Sequence, residues 1–289
     1  MQRLLLVVVF FFLPRVAFAQ TFTGQLRDGR FDHRIAADFG FHYHPTNLSV
    51  SGGALELAMF QPSVFGTFTL GRFGEGFVQF DLAWRVLGIV DPMGTDVGPA
   101  DPYFGVWVGA ENASGPERWR VRGGLGTVLP LISAFTTSNP DGVALVLLGM
   151  QESWQFSTDA AAVVLRVDGE LRGPGYAVGA DGAAAVSVPT SRDRSADERA
   201  TTVMQLGVFA AGRPIPELAL GSRVAVVGWD LFGAYEFASV SMTPFVRGEI
   251  GPGFLEGRVQ LNLAQPFLSL TGSAPETGWS AQLVGGGTF

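Results

Sequence analysis

From Val78 to Val86 the apolar residues Val78, Phe80, Leu82, Trp84 and Val86 alternate with Gln79, Asp81 and Arg85, with Ala83 between them. An extended chain points successive side chains to opposite faces, so this spacing predicts a strand with one apolar face and one polar face. The same period of two governs most of the chain. Ile35, Ala37, Phe39, Phe41 and Tyr43 oppose Arg34, Asp38, His42 and His44, and Leu55, Leu57 and Met59 oppose Glu56. Trp119, Val121, Gly123 and Leu125 oppose Arg118, Arg120 and Arg122, while Val163, Leu165 and Val167 oppose Arg166, Asp168 and Glu170. The row from Tyr176 to Val188 opposes Asp181 and Ser187, and Leu218, Leu220, Val224 and Val226 oppose Glu217 and Arg223. Val240, Met242 and Val246 oppose Ser241, Thr243 and Arg247. Leu255, Val259, Leu261 and Leu263 oppose Glu256, Arg258, Gln260 and Asn262. The final segment runs from Trp279 to Phe289.

With the less regular segments 102 to 110 and 200 to 210, this predicts about twelve strands. Residues 63 to 72 also alternate, Val64, Phe68 and Leu70 against Thr67 and Thr69. Either 33 to 44 or 63 to 72 is then the extra segment.

Such apolar faces need a cover. In an exported soluble β-sandwich, rows such as Phe80, Leu82 and Trp84 pair face to face in a core; in a transmembrane barrel they ring the outside. Charged residues make up only 16% of the chain, 39 residues are Gly and mean hydropathy is +0.28, which excludes disorder and coiled coil. The longest apolar stretch beyond the N-terminus, around Val143 to Met150, is far short of the roughly 20 residues of a spanning helix. Strands closed on themselves satisfy the backbone in lipid without one. The expectation is an all-β fold: a single antiparallel, up-and-down transmembrane β-barrel over residues 20–289.

The N-terminus points the same way. Met1-Gln2-Arg3, the apolar run Leu4 to Leu13 and Val16-Ala17-Phe18-Ala19 form a secretory signal at 1–19, with cleavage expected after Ala19. Connections alternate in length, as between the short and long ends of an outer-membrane barrel. Short Gly-rich turns are expected at 72 to 76, 172 to 175 and 251 to 253. Longer connections fall at 87 to 101, 128 to 159, 189 to 199, 229 to 238 and 265 to 277. The longest, 128–159, carries a helix start at Asn139-Pro140-Asp141 and an apolar run after it, predicting a short helix near 140–155. It covers the rim or folds into the lumen.

Little supports chemistry. The 19 basic residues are all Arg, and without residues 1–19 the chain has 17 Arg against 26 Asp and Glu, so it is acidic and offers no footprint for nucleic acid. Cysteine is absent, His33, His42 and His44 are the only histidines, and no Gly-x-Ser-x-Gly elbow occurs. His42 and His44 share a parity with Asp38, a spacing that a metal fits; a polar lumen role is preferred. No catalysis, metal or cofactor is expected.

The inward charges are more informative. Candidates for lining the lumen are Glu56, Asp81, Arg85, Arg118, Arg120, Arg122, Arg166, Asp168, Glu170, Asp181, Arg223, Arg247, Glu256 and Arg258. Arg118, Arg120 and Arg122 repel one another unless Asp81, Asp168, Glu170, Glu56 or Glu256 meets them. In one reading, interlocking ion pairs close the lumen. In the other, arginines opposite acids make a transverse field in a narrow water-filled pore that favours small charged or dipolar solutes.

The signal, the alternating segments and the end of the chain together resemble the bacterial outer-membrane β-barrel proteins over essentially the whole mature length. A C-terminal Phe289 with apolar residues at alternate positions before it is similar to the signal read by barrel-assembly machinery; Gly285 and Gly287 depart from that pattern. Asp101-Pro102-Tyr103-Phe104-Gly105 and Gly124-Leu125-Gly126-Thr127-Val128-Leu129-Pro130 also resemble segments of the phenol-degradation type of outer-membrane transport protein. The resemblance implies residence in the cell outer membrane, with membrane lipid, the assembly machinery and small solutes as partners. The expected function is a passive channel or uptake pore. The alternative is a closed structural or adhesion barrel acting through its external loops; a passenger translocator is disfavoured because the signal runs almost directly into the first strand.

Overall fold

The computed structural model describes residues 33–46, 55–91, 94–99, 102–112, 114–129, 160–189, 200–229, 237–264 and 279–288. Every regular element among them is a strand. The first six are β1 (His33–Thr46), β2 (Leu55–Phe73), β3 (Gly76–Asp91), β4 (Gly94–Pro99), β5 (Tyr103–Asn112) and β6 (Arg118–Val128). There follow β7 (Ala160–Arg172), β8 (Tyr176–Pro189), β9 (Thr201–Ile215) and β10 (Leu218–Trp229). The last are β11 (Phe237–Ile250), β12 (Gly253–Ala264) and β13 (Trp279–Thr288).

The strands form one antiparallel sheet in which, β4 apart, each pairs with the strands next to it in sequence, and β1 pairs with both β2 and β13, so the sheet closes. The short strand β4 pairs only with the far half of β3, from Val86↔Pro99 to Asp91↔Gly94. Next to it, β5 takes up the rest of β3 from Ala83↔Tyr103 onward. Strand β4 therefore continues β5, and the ring has twelve staves. The predicted long connection at 87 to 101 is corrected: most of it is strand, and only residues 92 and 93 separate β3 from β4.

The N-terminal ambiguity also resolves. Residues 55 to 73 are a single strand, so both 33 to 44 and 63 to 72 belong to the ring and 55 to 59 is not separate.

Followed once around the ring, the registers return to β1 displaced by about 14 residues. That stagger tilts the strands by about 40° and, with strands ~4.8 Å apart, gives a backbone radius of about 12 Å. Eight strands enclose a space that side chains just fill; twelve enclose more.

Turns between β2 and β3, β5 and β6, β7 and β8, β9 and β10, and β11 and β12 are short and lie at one end with the start of β1 and the end of β13. We call this the turn end and the opposite one the loop end. Gly74 (φ 67°) and Gly251 (φ 53°) take left-handed conformations in two of these turns, where a Cβ is strained. The signal segment 1–19, the predicted helix near 140–155 and Phe289 lie outside the described residues.

Parity sets the two surfaces. Outside lie Phe39, Trp84, Val106, Val108, Leu125, Val163, Leu206 and Leu283, all well exposed. Every described Asp, Glu and Arg side chain within a strand lies on the inward parity. An apolar outside and an ionic inside are those of a barrel immersed in lipid, and they exclude the sandwich.

Candidate functional site

The lumen is the site, and glycine positions decide what crosses it. On β9, Gly207 faces inward beside Asp181 of β8 and Ala225 of β10. Because it has no side chain, Arg223 of β10 passes over it to Asp181, two strands away. The Arg223 Nη2 donates to Asp181 Oδ2 at 2.5 Å and Oδ1 at 2.7 Å, Nε donates to Oδ1 at 3.1 Å, and Gln205 Nε2 adds a bond at 3.3 Å. Arg223 is fully buried.

On β6, Gly124 stands between Trp107 of β5 and Arg166 of β7. The indole packs against it, and an added Cβ would overlap the backbone oxygen of Val106 as well as meet the Trp107 ring at 3.0 Å. Two guanidinium groups sit on that indole, Arg122 at 4.0 Å and Arg166 at 5.2 Å from the ring centroid. Arg120 rests on Phe77 at 4.6 Å and Arg247 on Phe254 at 3.9 Å. Cation–π attraction strengthens as the groups are taken out of solvent, and Trp107, Arg122 and Arg166 are all buried.

Three groups of charges occupy the turn-end and middle levels. In the first, Arg122 Nε donates to Asp168 Oδ2 at 2.8 Å and Arg122 lies 3.5 Å from Asp81. Arg120 Nη2 donates to Gln79 at 2.5 Å and Nη1 lies 3.4 Å from Glu111, which Arg72 meets at 2.5 Å. The second is Arg223 with Asp181. In the third, Glu256 lies 3.6 Å from both Arg247 and Arg258, and Arg258 is 3.8 Å from Asp38. Glu249 of β11 gathers Arg247 at 3.3 Å, Arg172 of β7 at 3.5 Å and Arg213 of β9 at 3.7 Å, bringing separate staves together.

The structure thus distributes the predicted lining. Arg118, Arg120 and Arg122 share a face; Arg120 and Arg122 both donate to Gln79 Oε1 but take different carboxylates, and Arg118, half-buried, stands opposite Arg172 at the turn end. Glu170 is directly opposite Arg120 in the ladder, yet Arg120 reaches the other way to Gln79 and Glu111. Glu256 serves Arg247 and Arg258 on the far wall. Arg85 holds an inward register position opposite Ser63, and its side chain lies outside those described, as do those of His42 and His44.

Glu56 is a correction. It pairs with Pro45, on the parity of Phe60 and Val64, so its register position is outward and those of Leu57 and Met59 are inward. Apolar residues there share the inward parity because the loop-end wall is itself apolar. Tyr103, Val128, Val164, Ala185, Val203 and Val227 all face inward at this level and are buried. Ser239, Ser241 and Thr243 of β11, Ser280 of β13 and Ser63 of β2 are buried polar residues on the adjoining staves.

Sequence reasoning missed Gln79, Glu111, Arg72, Arg172, Arg213 and Glu249 as lining residues, and all the aromatic supports. The available signal was the inward parity of Glu111 with Trp107 and Tyr103, hidden because the outward residues of β5 are apolar too.

No protein-family model matches the chain, and no curated protein sequence does. Solved structures similar in shape include an outer membrane channel and a porin. The COG4313 outer membrane channel from Pseudomonas putida F1 aligns with a TM-score of 0.62 at 10% identity, over 92% of this chain and 99% of that one. The NanC porin aligns with a TM-score of 0.50 at 9% identity, over 88% and 100%. The fold of this chain is that of the outer-membrane channel and porin β-barrels.

Proposed function

We propose that the protein is a narrow passive channel of the outer membrane that favours small anions. In this reading residues 1–19 direct export with cleavage after Ala19, the segment ending at Phe289 engages the barrel-assembly machinery, membrane lipid surrounds the apolar belt, and no catalysis or cofactor is involved. The observation that carries it is a charge asymmetry. The described inward side chains of the strands include eleven arginines and eight carboxylates, whereas the whole chain carries a formal −7. A positive lining between low-dielectric walls concentrates anions and repels cations. That the two proteins of similar shape are an outer membrane channel and a porin supports the reading.

The second reading, a closed structural or adhesion barrel, is favoured by burial: Asp81, Arg223 and Glu256 are 0% exposed. Planar-bilayer recording in a salt gradient separates the two. Small, steady conductance with a reversal potential on the anion side, moved toward zero by Arg120→Ala, supports the channel. Silence from folded, inserted protein refutes it.

A further inference from the structure

Arg34 is the second residue of β1 and faces inward at the turn end, with 5% of its surface exposed. Its guanidinium lies 5.2 Å from the centroid of Phe254, the ring that also carries Arg247 at 3.9 Å. Among the described residues no carboxylate lies within ion-pair distance of it, and its Nε is buried without a hydrogen-bond partner. Its main electrostatic neighbours are Arg247, Arg122 and Arg120, with Glu256 as the one carboxylate. Glu256 is already shared between Arg247 and Arg258, and Arg258 also takes Asp38. Among the described residues, then, Arg247 and Arg258 take up Glu256, Asp38 and Glu249, the last of these shared with Arg172 and Arg213, and none of the three carboxylates comes within ion-pair distance of Arg34.

Guanidinium does not escape burial by losing its proton, because its charge persists at any ordinary pH. An uncompensated buried charge is strongly unfavourable. The aromatic ring supports the face of the Arg34 group, and the N–H edge is what binds anions, in the plane of the guanidinium. Among the described residues, what is left without an ion-pair partner at this guanidinium is a single positive charge.

We infer that Arg34 holds a small monovalent anion, a halide or the carboxylate of a solute, at the turn end of the lumen. Thr288, directly opposite Arg34 in the ladder and also buried, stands beside this site. The inference rests on the lumen being net positive, as in the proposed function, but not on conduction.

The test measures thermal unfolding of the refolded full-length mature protein in detergent at fixed ionic strength, with gluconate replaced stepwise by bromide or by formate. Binding to the native state alone raises the midpoint by about 3 °C for each tenfold increase above the dissociation constant. Arg34→Met should lose this dependence while Arg118→Met keeps it. Stabilisation by both anions identifies a site that reads charge; stabilisation by formate alone identifies a carboxylate site, and by bromide alone a halide site. Equal midpoints in all three anions, or an undiminished effect in folded Arg34→Met, overturn the inference. If that variant does not fold, bromide-soaked wild-type crystals decide: an anomalous peak beside the Arg34 guanidinium supports the site, and none refutes it. A silent bilayer with intact anion stabilisation sinks the channel and leaves the site standing; the converse sinks only the site.

Discussion

Replacing Gly207 with Ala adds one methyl group where the Arg223 guanidinium crosses β9, and the new Cβ would overlap that group. The side chain is flexible enough to move, but moving it withdraws its three contacts of 2.5 to 3.1 Å from Asp181. Asp181 then keeps only the 3.3 Å bond from Gln205, in a position 6% exposed. Breaking a buried pair in this way costs about 3–5 kcal/mol. Alanine returns about 0.5–1 kcal/mol in a strand by restricting the unfolded chain. The net expectation is a loss of about 2–4 kcal/mol. Urea titration of the protein folded in lipid vesicles, followed by tryptophan fluorescence, measures it as a lower midpoint at unchanged slope. The control is the doubly uncharged background Arg223→Met with Asp181→Leu, in which nothing crosses Gly207 as a charge. There Gly207→Ala should be nearly neutral, so the coupling appears as non-additivity. If Gly207→Ala is harmless in the wild type, or equally costly in both backgrounds, the bridge over β9 is not what stabilises this wall.

Val163 and Val164 are adjacent, but the first is 60% exposed on the outer face and the second is fully buried within. Val163→Arg should cost about 2–4 kcal/mol in vesicles if it lies near the bilayer midplane, and far less in detergent; equal costs in both media contradict the outward placement. On β11, Pro244 continues the ladder to Ser222 of β10, while the ladder to β12 skips from Met242↔Leu261 to Phe245↔Arg258. Pro244→Ala restores an N–H toward β12 and should gain about 1 kcal/mol, with slower amide exchange near Val259; unchanged exchange there refutes that account. Trp107→Ala removes the support under Arg122 and Arg166 and should cost about 3–5 kcal/mol in urea midpoint terms. In the channel reading it also raises single-channel conductance, and a stable, unchanged conductance places Trp107 away from the path.

Much of the architecture was legible because lipid enforces parity. In β3 and β12, Asp81, Glu256 and Arg258 face inward against wholly apolar outward rows, and any slip by one residue would drive a charge into hydrocarbon. Legibility failed where that contrast fades. Strand β5 is apolar on both faces, with Tyr103 and Trp107 within and Val106 and Val108 without, so period two does not reveal which side is which. At Glu56 the rule inverts, since at the loop end an apolar residue is at home inside. The ion-pair partners were beyond reach for another reason. A ladder shows who stands opposite, as Glu170 does to Arg120, whereas long side chains choose partners diagonally or over a glycine, as Arg223 does.

Around Gly124 the interior is laid in three courses: bare backbone at an inward glycine, then the Trp107 ring against it, then the Arg122 and Arg166 guanidinium groups upon the ring. An aromatic course is about 3.5 Å thick, so one on each of two facing walls takes about 7 Å from a backbone bore of about 24 Å. The calibre of this barrel is therefore governed less by its arginines than by the shims beneath them. One methyl group at Gly207 would displace the guanidinium that crosses it, making bore a quantity that drifts in steps of a single carbon while strand number, stagger and the lipid-facing surface stay fixed.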